Sequence, residues 1–201
     1  MLDRVHAVKQ FQHARFAQTY ADLQSEASHA KATAFFLEDI YSSADFSERD
    51  AQFARIVPAL VRLFPRDIVA TVAQLAELHA LSERLDTAVA RQLSGTQVLS
   101  ASYSAAWRAV GEPPSRQRQI ELMLAVGLAL NRYTRKPLWR QSLKLMRGPA
   151  QAAGLGALQQ MLERGFDTFR GLDNAKEFLD TIKRRESELA RRLFAGETNF
   201  L

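Results

Sequence analysis

The balance between helix-forming and β-branched residues constrains the fold of this chain more than any other sequence feature. Among its 201 residues, alanine and leucine together supply 57, whereas valine and isoleucine together supply 15. Alanine and leucine are strong helix formers, and β-branched residues favour strands. No segment shows the strict apolar and polar alternation that is typical of a half-buried strand. We therefore predict an all-α fold.

Proline and glycine residues divide the chain into helical segments. The intervals between them predict helices at about 3–24, 28–42, 47–64, 67–93, 96–110, 115–134, 137–147, 149–170 and 173–195. A chain of this length buries about 70% of the surface of its unfolded form, which is enough for one sizeable core. We predict a single domain, residues 1–201, formed by a bundle of about eight to nine helices.

The longest apolar run lies in the predicted helix 115–134. Residues Leu122–Leu130 are apolar around the whole circumference of that helix, so we expect it to be central and surrounded by the others. Gly127 would let a neighbouring helix approach closely. The run is less than half of the roughly 20 residues that a membrane span requires, and residues 1–16 lack the apolar core of a signal peptide. We expect a cytoplasmic protein without a transmembrane segment.

Glu186 interrupts the apolar stripe of the last predicted helix. The stripe consists of Ala175, Phe178, Leu179, Ile182, Leu189 and Leu193. At 100° per residue, Glu186 falls near the centre of that stripe. A buried carboxylate requires a cationic or hydrogen-bonding partner. We expect a salt bridge to an arginine of residues 132–147, with a catalytic or ligand-facing acid, or simple exposure, as the alternatives.

Nearly all the net positive charge lies in the second half of the chain. Residues 1–100 carry 10 basic and 12 acidic side chains, net −2, whereas residues 101–201 carry 17 and 10, net +7. The charge is densest in residues 132–147, which we call the basic corner because a helix-turn-helix is predicted there. Arginine offers paired donors to phosphate or carboxylate, and a tryptophan offers a face for stacking. The candidate ligand-binding residues are Arg132, Arg135, Lys136, Trp139 and Arg140.

The basic corner also has a plainer interpretation. Long cations at helix ends are often solvated, or they pair with acids elsewhere in the fold. The acidic residues available for such pairing cluster in residues 38–50. A cluster of charge alone does not identify an anionic ligand.

Sequence signals for catalysis or metal binding are weak. The chain has no cysteine, which excludes disulfides, cysteine-ligated metals and a cysteine nucleophile. Glu26 and His29 have the E-x-x-H spacing of di-iron bundles, but the second such motif that those sites need is missing. Gly154 and Gly156 lack the strand and third glycine of a dinucleotide loop. We predict no metal site and no cofactor, and we do not favour an enzyme.

Two segments carry a family resemblance. Residues 35–50, FFLEDIYSSADFSERD, resemble the opening of an uncharacterised bacterial all-helical family, and residues 143–186 resemble its closing half. The resemblance implies a helical domain of unknown function. It implies no activity, cofactor or partner.

Three hypotheses for the function follow. The first is a non-catalytic interaction or regulatory protein whose amphipathic first and last helices dock on a protein partner or a second copy. The second is a protein that binds an anionic small molecule or a lipid head group at the basic corner. The third, nucleic-acid binding through the same surface, is not favoured because no recognised nucleic-acid motif accompanies the charge.

Overall fold

The computed structural model describes residues 1–40 and 66–200, and every regular element in these two ranges is helical. The predicted all-α class is confirmed. The predicted helix at 47–64 lies outside the described residues. The helices are α1 Leu2–Thr19, α2 Ala21–Ser25, α3 Ala30–Phe35, α4 Arg66–Gln92, α5 Ser100–Val110, α6 Pro113–Thr134, α7 Pro137–Leu145, α8 Arg147–Ala152, α9 Gly156–Arg170 and α10 Ala175–Ala195. A π-helical turn, Phe36–Ile40, continues α3.

Two predicted helices are each interrupted, so the sequence prediction was wrong about their continuity. The first breaks at Tyr20, whose backbone angles of φ −116° and ψ 20° lie outside the helical range, and the ring of this residue is fully buried. The predicted helix 149–170 breaks at Gly154, whose φ of 67° is left-handed. Glycine adopts that conformation without the steric cost that other residues have.

A tight corner between α5 and α6 sets where α6 begins. Gly111 and Glu112 both have positive φ, 68° and 60°, and Pro113 occupies the first turn of α6. Arg84 forms a bidentate ion pair with Glu112, with both distances at 2.7 Å, and Ser115 donates a further hydrogen bond to it. The left-handed backbone of Glu112 is therefore held by contacts from α4 and α6.

Helix α6 packs against α4, α9 and α10. Leu122 and Met123 are buried, and the predicted central position of this helix in the bundle is confirmed, while Leu128 on the same helix is 50% exposed. A Cβ atom at Gly127 would lie 2.7 Å from Cδ2 of Leu179 on α10. The glycine thus permits the close approach that its position predicts. Within the described ranges, each helix is too short or too polar to cross a membrane.

The core consists of two apolar clusters. The first is centred on Phe16, Tyr20, Leu122, Phe178 and Ile182. The second includes Val8, Val89, Tyr103, Trp107, Leu193 and Phe200. Along α1, α4 and α10, the residues of one cluster are separated from those of the other by buried charged residues. These charges therefore lie at a common level of the bundle, between the clusters.

Substitution of Gly127 tests the packing of α6 against α10. Gly127→Ala should lower the free energy of unfolding by about 1 kcal/mol, because the cost of crowding Leu179 exceeds the gain in helix propensity. Gly148→Ala is the matched control, since a Cβ atom there meets nothing within 4 Å. It should raise the free energy of unfolding by up to about 1 kcal/mol. Urea denaturation of the two variants would contradict this packing if both were stabilised.

Candidate functional sites: a buried polar layer and an exposed basic helix

Five buried polar residues form a layer between the two apolar clusters, and we call them the polar layer. They are Arg15, Asp86, Ser104, Arg116 and Glu186. Each comes from a different helix: α1, α4, α5, α6 and α10 respectively. Buried charges are costly unless they are paired or hydrogen-bonded, so the partners of each member decide what the layer can do.

Glu186 pairs with Arg15 inside this layer. Their side chains are 9% and 6% exposed, and Nη1 of Arg15 lies 2.5 Å from Oε1 of Glu186. The hydroxyl of Tyr20 donates to the same oxygen at 2.9 Å. The expected partner, an arginine of the basic corner, was wrong. Helix α10 packs against α5 and α6, whereas the helix of the basic corner packs against α9.

Asp86 is held by a neutral neighbour. Nε2 of Gln12 donates to Oδ1 of Asp86 at 2.7 Å. Burial raises the pKa of the Asp86 carboxyl, and the positive charges of Arg116 and Lys9 only partly oppose the rise. Burial also raises the pKa of Tyr103, which faces the same group of charges. Burial therefore disfavours the ionised forms of Asp86 and Tyr103.

Arg116 lies over the ring of Trp107. Its Cζ is 3.6 Å from the ring centroid, a close cation–π contact. Nη1 of Arg116 approaches Oε1 of Gln119 at 3.4 Å. Five buried side-chain polar atoms have no hydrogen-bond partner in residues 1–40 and 66–200. One is Nε2 of His29, and the other four lie on α5 and α6: Nε and Nη2 of Arg116, Nε1 of Trp107 and Oγ of Ser104. This group on α5 and α6 could not be found from the sequence, because Trp107 and Arg116 lie on different helices.

The basic corner brings its candidate residues together, but several of them already have neighbours. Arg140 pairs with Asp167 on α9, with Nε and Oδ1 3.1 Å apart. The Trp139 ring packs against Tyr133, with centroids 6.2 Å apart. Arg132 donates to the hydroxyl of Tyr133 at 3.1 Å. Among the predicted cations, Arg132, Arg135 and Lys136 are exposed and Arg140 is half-buried.

Among the acidic residues that were considered as partners for the basic corner, Asp39 pairs with Arg164 on α9, at 2.5 Å. Asp45, Glu48 and Asp50 lie outside the described residues, so pairing by them stays a prediction. The arginine at the end of the corner, Arg147, forms a bidentate pair with Glu163 of α9. Helix α9 thus contributes two acids, Asp167 and Glu163, that contact the corner.

Helix α7 presents apolar side chains to solvent. Leu138 and Leu145 are 76% and 78% exposed, and their separation of seven residues places them on one side of the helix. Arg135, Lys136 and Lys144 are exposed around them. We call these five residues the α7 face. The i, i+7 spacing of the two leucines is the sequence signal for an apolar side of this helix. The sequence-based prediction used the cations alone and missed it.

The histidines supply no complete metal site. Nδ1 of His29 lies 2.7 Å from Oε2 of Glu26, so the E-x-x-H pair is formed. Within the described ranges, no three acidic or histidine side chains are grouped closely enough to hold a metal ion.

These features define an all-helical protein with a charged interior and a basic outer helix. Residues 1–200 match the family described as a domain of unknown function (DUF8198), and the chain belongs to that family. The expected membership of a family without a known activity is confirmed. Neither a curated protein nor a solved structure matches the chain.

Substitution of Glu186 measures the energy of the buried pair. Glu186→Gln should lower the free energy of unfolding by about 3 kcal/mol, because Arg15 remains buried without a counterion. Glu188→Gln is the matched control on the same helix, since its pair with Arg191 is exposed, and it should change stability by less than about 1 kcal/mol. Chemical denaturation would contradict the assignment if the two variants lost equal stability.

The raised pKa of Asp86 predicts a pH-dependent effect of Asp86→Asn. The carboxyl has an ordinary pKa of 3.8 in the unfolded chain and a higher one when folded. Stability therefore falls as pH rises from about 4 through the folded pKa. The variant keeps an oxygen that accepts from Gln12 and has no charge to lose solvation. It should melt at a higher temperature than the parent at about pH 7, and the difference should shrink towards about pH 4. A difference that is independent of pH would refute this origin.

Proposed function

We propose that this protein is a non-catalytic interaction protein whose α7 face docks an acidic segment of a protein partner. The observation that carries the proposal is the pair of leucines, Leu138 and Leu145, each more than three-quarters exposed on a helix bordered by cations. Large apolar side chains that are exposed together are typical of binding surfaces.

The spacing of the leucines suits a helical or extended partner segment. Seven residues of α-helix separate two side chains by about 10 Å, a distance that a short helical or extended segment spans. Arg135, Lys136 and Lys144 lie near these leucines, so a partner segment with acidic residues beside its apolar contacts would be attracted and correctly oriented. The leucines supply affinity, and the cations supply selectivity.

Other docking surfaces have less support. The apolar sides of the first and last helices, which the sequence suggested for docking, contribute Val8, Phe16, Phe178 and Ile182 to the core. A second copy of the chain would oppose one α7 face with another of the same charge, which is unfavourable. An anionic small molecule at the corner would compete with Asp167 for Arg140.

The proposal includes a location in the bacterial cytoplasm, where the partner would meet the α7 face. A lipid head group is the principal competing ligand, because exposed leucines and cations together also favour anionic membrane surfaces. Nucleic acid has less support because the two leucines occupy the middle of the surface. These alternatives give different results in the experiment below.

A photo-crosslinking residue at Gln141, which is exposed between the leucines, should capture one protein in the cells that encode this chain. The same residue at Ala101, on the exposed side of α5, is the positional control and should not capture that protein. Leu138→Ser and Lys144→Glu should each reduce the adduct roughly tenfold, as expected for contact residues at the centre and rim of an interface. The adduct peptide should contain Asp or Glu.

Several results would contradict this function. Equal adducts from positions 141 and 101, or an adduct unaffected by Leu138→Ser, would show that the α7 face is not the docking surface. Co-sedimentation of the purified protein with phosphatidylglycerol vesicles, lost in Lys144→Glu and absent with phosphatidylcholine vesicles, would replace the protein partner with a lipid. Adducts removed by nuclease would replace it with nucleic acid.

A further inference from the structure

The polar layer contains more hydrogen-bond donors than acceptors around Arg116. Nε and Nη2 of Arg116 and Nε1 of Trp107 are buried and have no acceptor in residues 1–40 and 66–200. None of these three nitrogens can accept a hydrogen bond. Buried donors in folded proteins are almost always satisfied, so this group requires an acceptor.

The donors are close to one another. Cζ of Arg116 lies 3.6 Å from the Trp107 ring centroid, which brings the guanidinium and indole N–H groups into one small volume. Ser104 lies one turn before Trp107 on α5, and its hydroxyl is also buried with no hydrogen-bond partner in the described part of the chain. The side chains of Ser104, Arg116 and Trp107 are 1%, 3% and 8% exposed.

The charge balance of the layer favours an anion over a neutral acceptor. Arg15 has its own counterion, because Glu186 is 2.5 Å away. The carboxylates of Asp86 and Glu112 attract the Arg116 charge. Asp86 accepts its hydrogen bond from Gln12, and Glu112 accepts from Arg84 and Ser115. A water molecule would accept from two of the donors and would then need acceptors for its own hydrogens. An anion accepts from all of them and compensates the guanidinium charge.

We propose that Arg116, Trp107 and Ser104 bind a small monovalent anion of the size of chloride inside the polar layer. The burial of these residues, each less than 9% exposed, limits the ligand to a compact ion. The bound anion joins α5 to α6 through hydrogen bonds from both helices. It is a stabilising ligand of the fold, and its site is separate in sequence from the α7 face.

Fluorescence of Trp107 reports on the site directly. The chain has two tryptophans, so Trp139→Phe leaves Trp107 as the single emitter. Chloride is titrated against gluconate at constant ionic strength, and bromide is used in parallel. The emission should change along a saturating curve, and the melting temperature should rise with the logarithm of the chloride concentration.

Variants assign the response to the three donors. Arg116→Gln should abolish it. Ser104→Ala is the second variant, which tests the site if Arg116→Gln does not fold. It should weaken the apparent affinity for chloride about tenfold, because one hydrogen bond to the ion is lost. Arg118→Gln is the matched control, because Arg118 lies on the same helix, exposed and paired with Glu77, and it should leave the response unchanged.

Three results would overturn the proposal. Identical emission and melting temperature in chloride and gluconate would show that the donors have another acceptor. A response that rises linearly without saturation would show collisional quenching. A saturating response that survives both Ser104→Ala and Arg116→Gln would place the ion elsewhere.

Discussion

The buried ion pair between Arg15 and Glu186 is the interaction on which the arrangement of this bundle depends. It joins the first helix to the last across 171 positions of sequence, at 2.5 Å, and the hydroxyl of Tyr20 stabilises the same carboxylate. A shift of α1 along α10 by one turn would leave two buried charges unpaired, which costs several kcal/mol. The pair therefore fixes the register of α1 against α10.

That register explains why the core is divided. Arg15 and Glu186 lie between the clusters: Val8 of α1 and Leu193 of α10 belong to the second cluster, and Phe16 and Phe178 belong to the first. The polar layer thus gives specificity at a cost in solvation energy, as buried polar residues do in coiled coils. The ion pairs of the basic corner do not set the packing in this way. They are exposed, as the pair between Arg140 and Asp167 shows, and exposed pairs contribute little to stability.

The all-α class and the buried position of Glu186 could be predicted from the sequence, because composition determines the first and helical periodicity determines the second. The partner of Glu186 could not be predicted, since a helical period identifies the buried side of a helix but not which distant helix lies against it. The helix breaks at Tyr20 and Gly154 were not predicted either. The first depends on the burial of the Tyr20 ring in the folded core, and the second depends on the left-handed backbone of Gly154. The α7 face was available as a leucine pair at positions 138 and 145, although nothing in the sequence showed that both are exposed.

The corner between α5 and α6 links local strain to the polar layer. A left-handed conformation at a residue other than glycine, here Glu112 with φ 60°, costs about 1 kcal/mol or more. Arg84 and Ser115 hold the Glu112 carboxylate and lower its pKa to about 2, so it remains ionised and paired over the whole physiological range. Glu112 directly precedes the first turn of α6, so these contacts set the position of that turn. Arg116 follows one turn later and is thereby placed over Trp107. The exposed ion pair between Arg84 and Glu112 thus fixes the orientation of the buried Arg116 guanidinium, which can only donate hydrogen bonds. Apolar packing alone would leave this side chain free to rotate out of the polar layer.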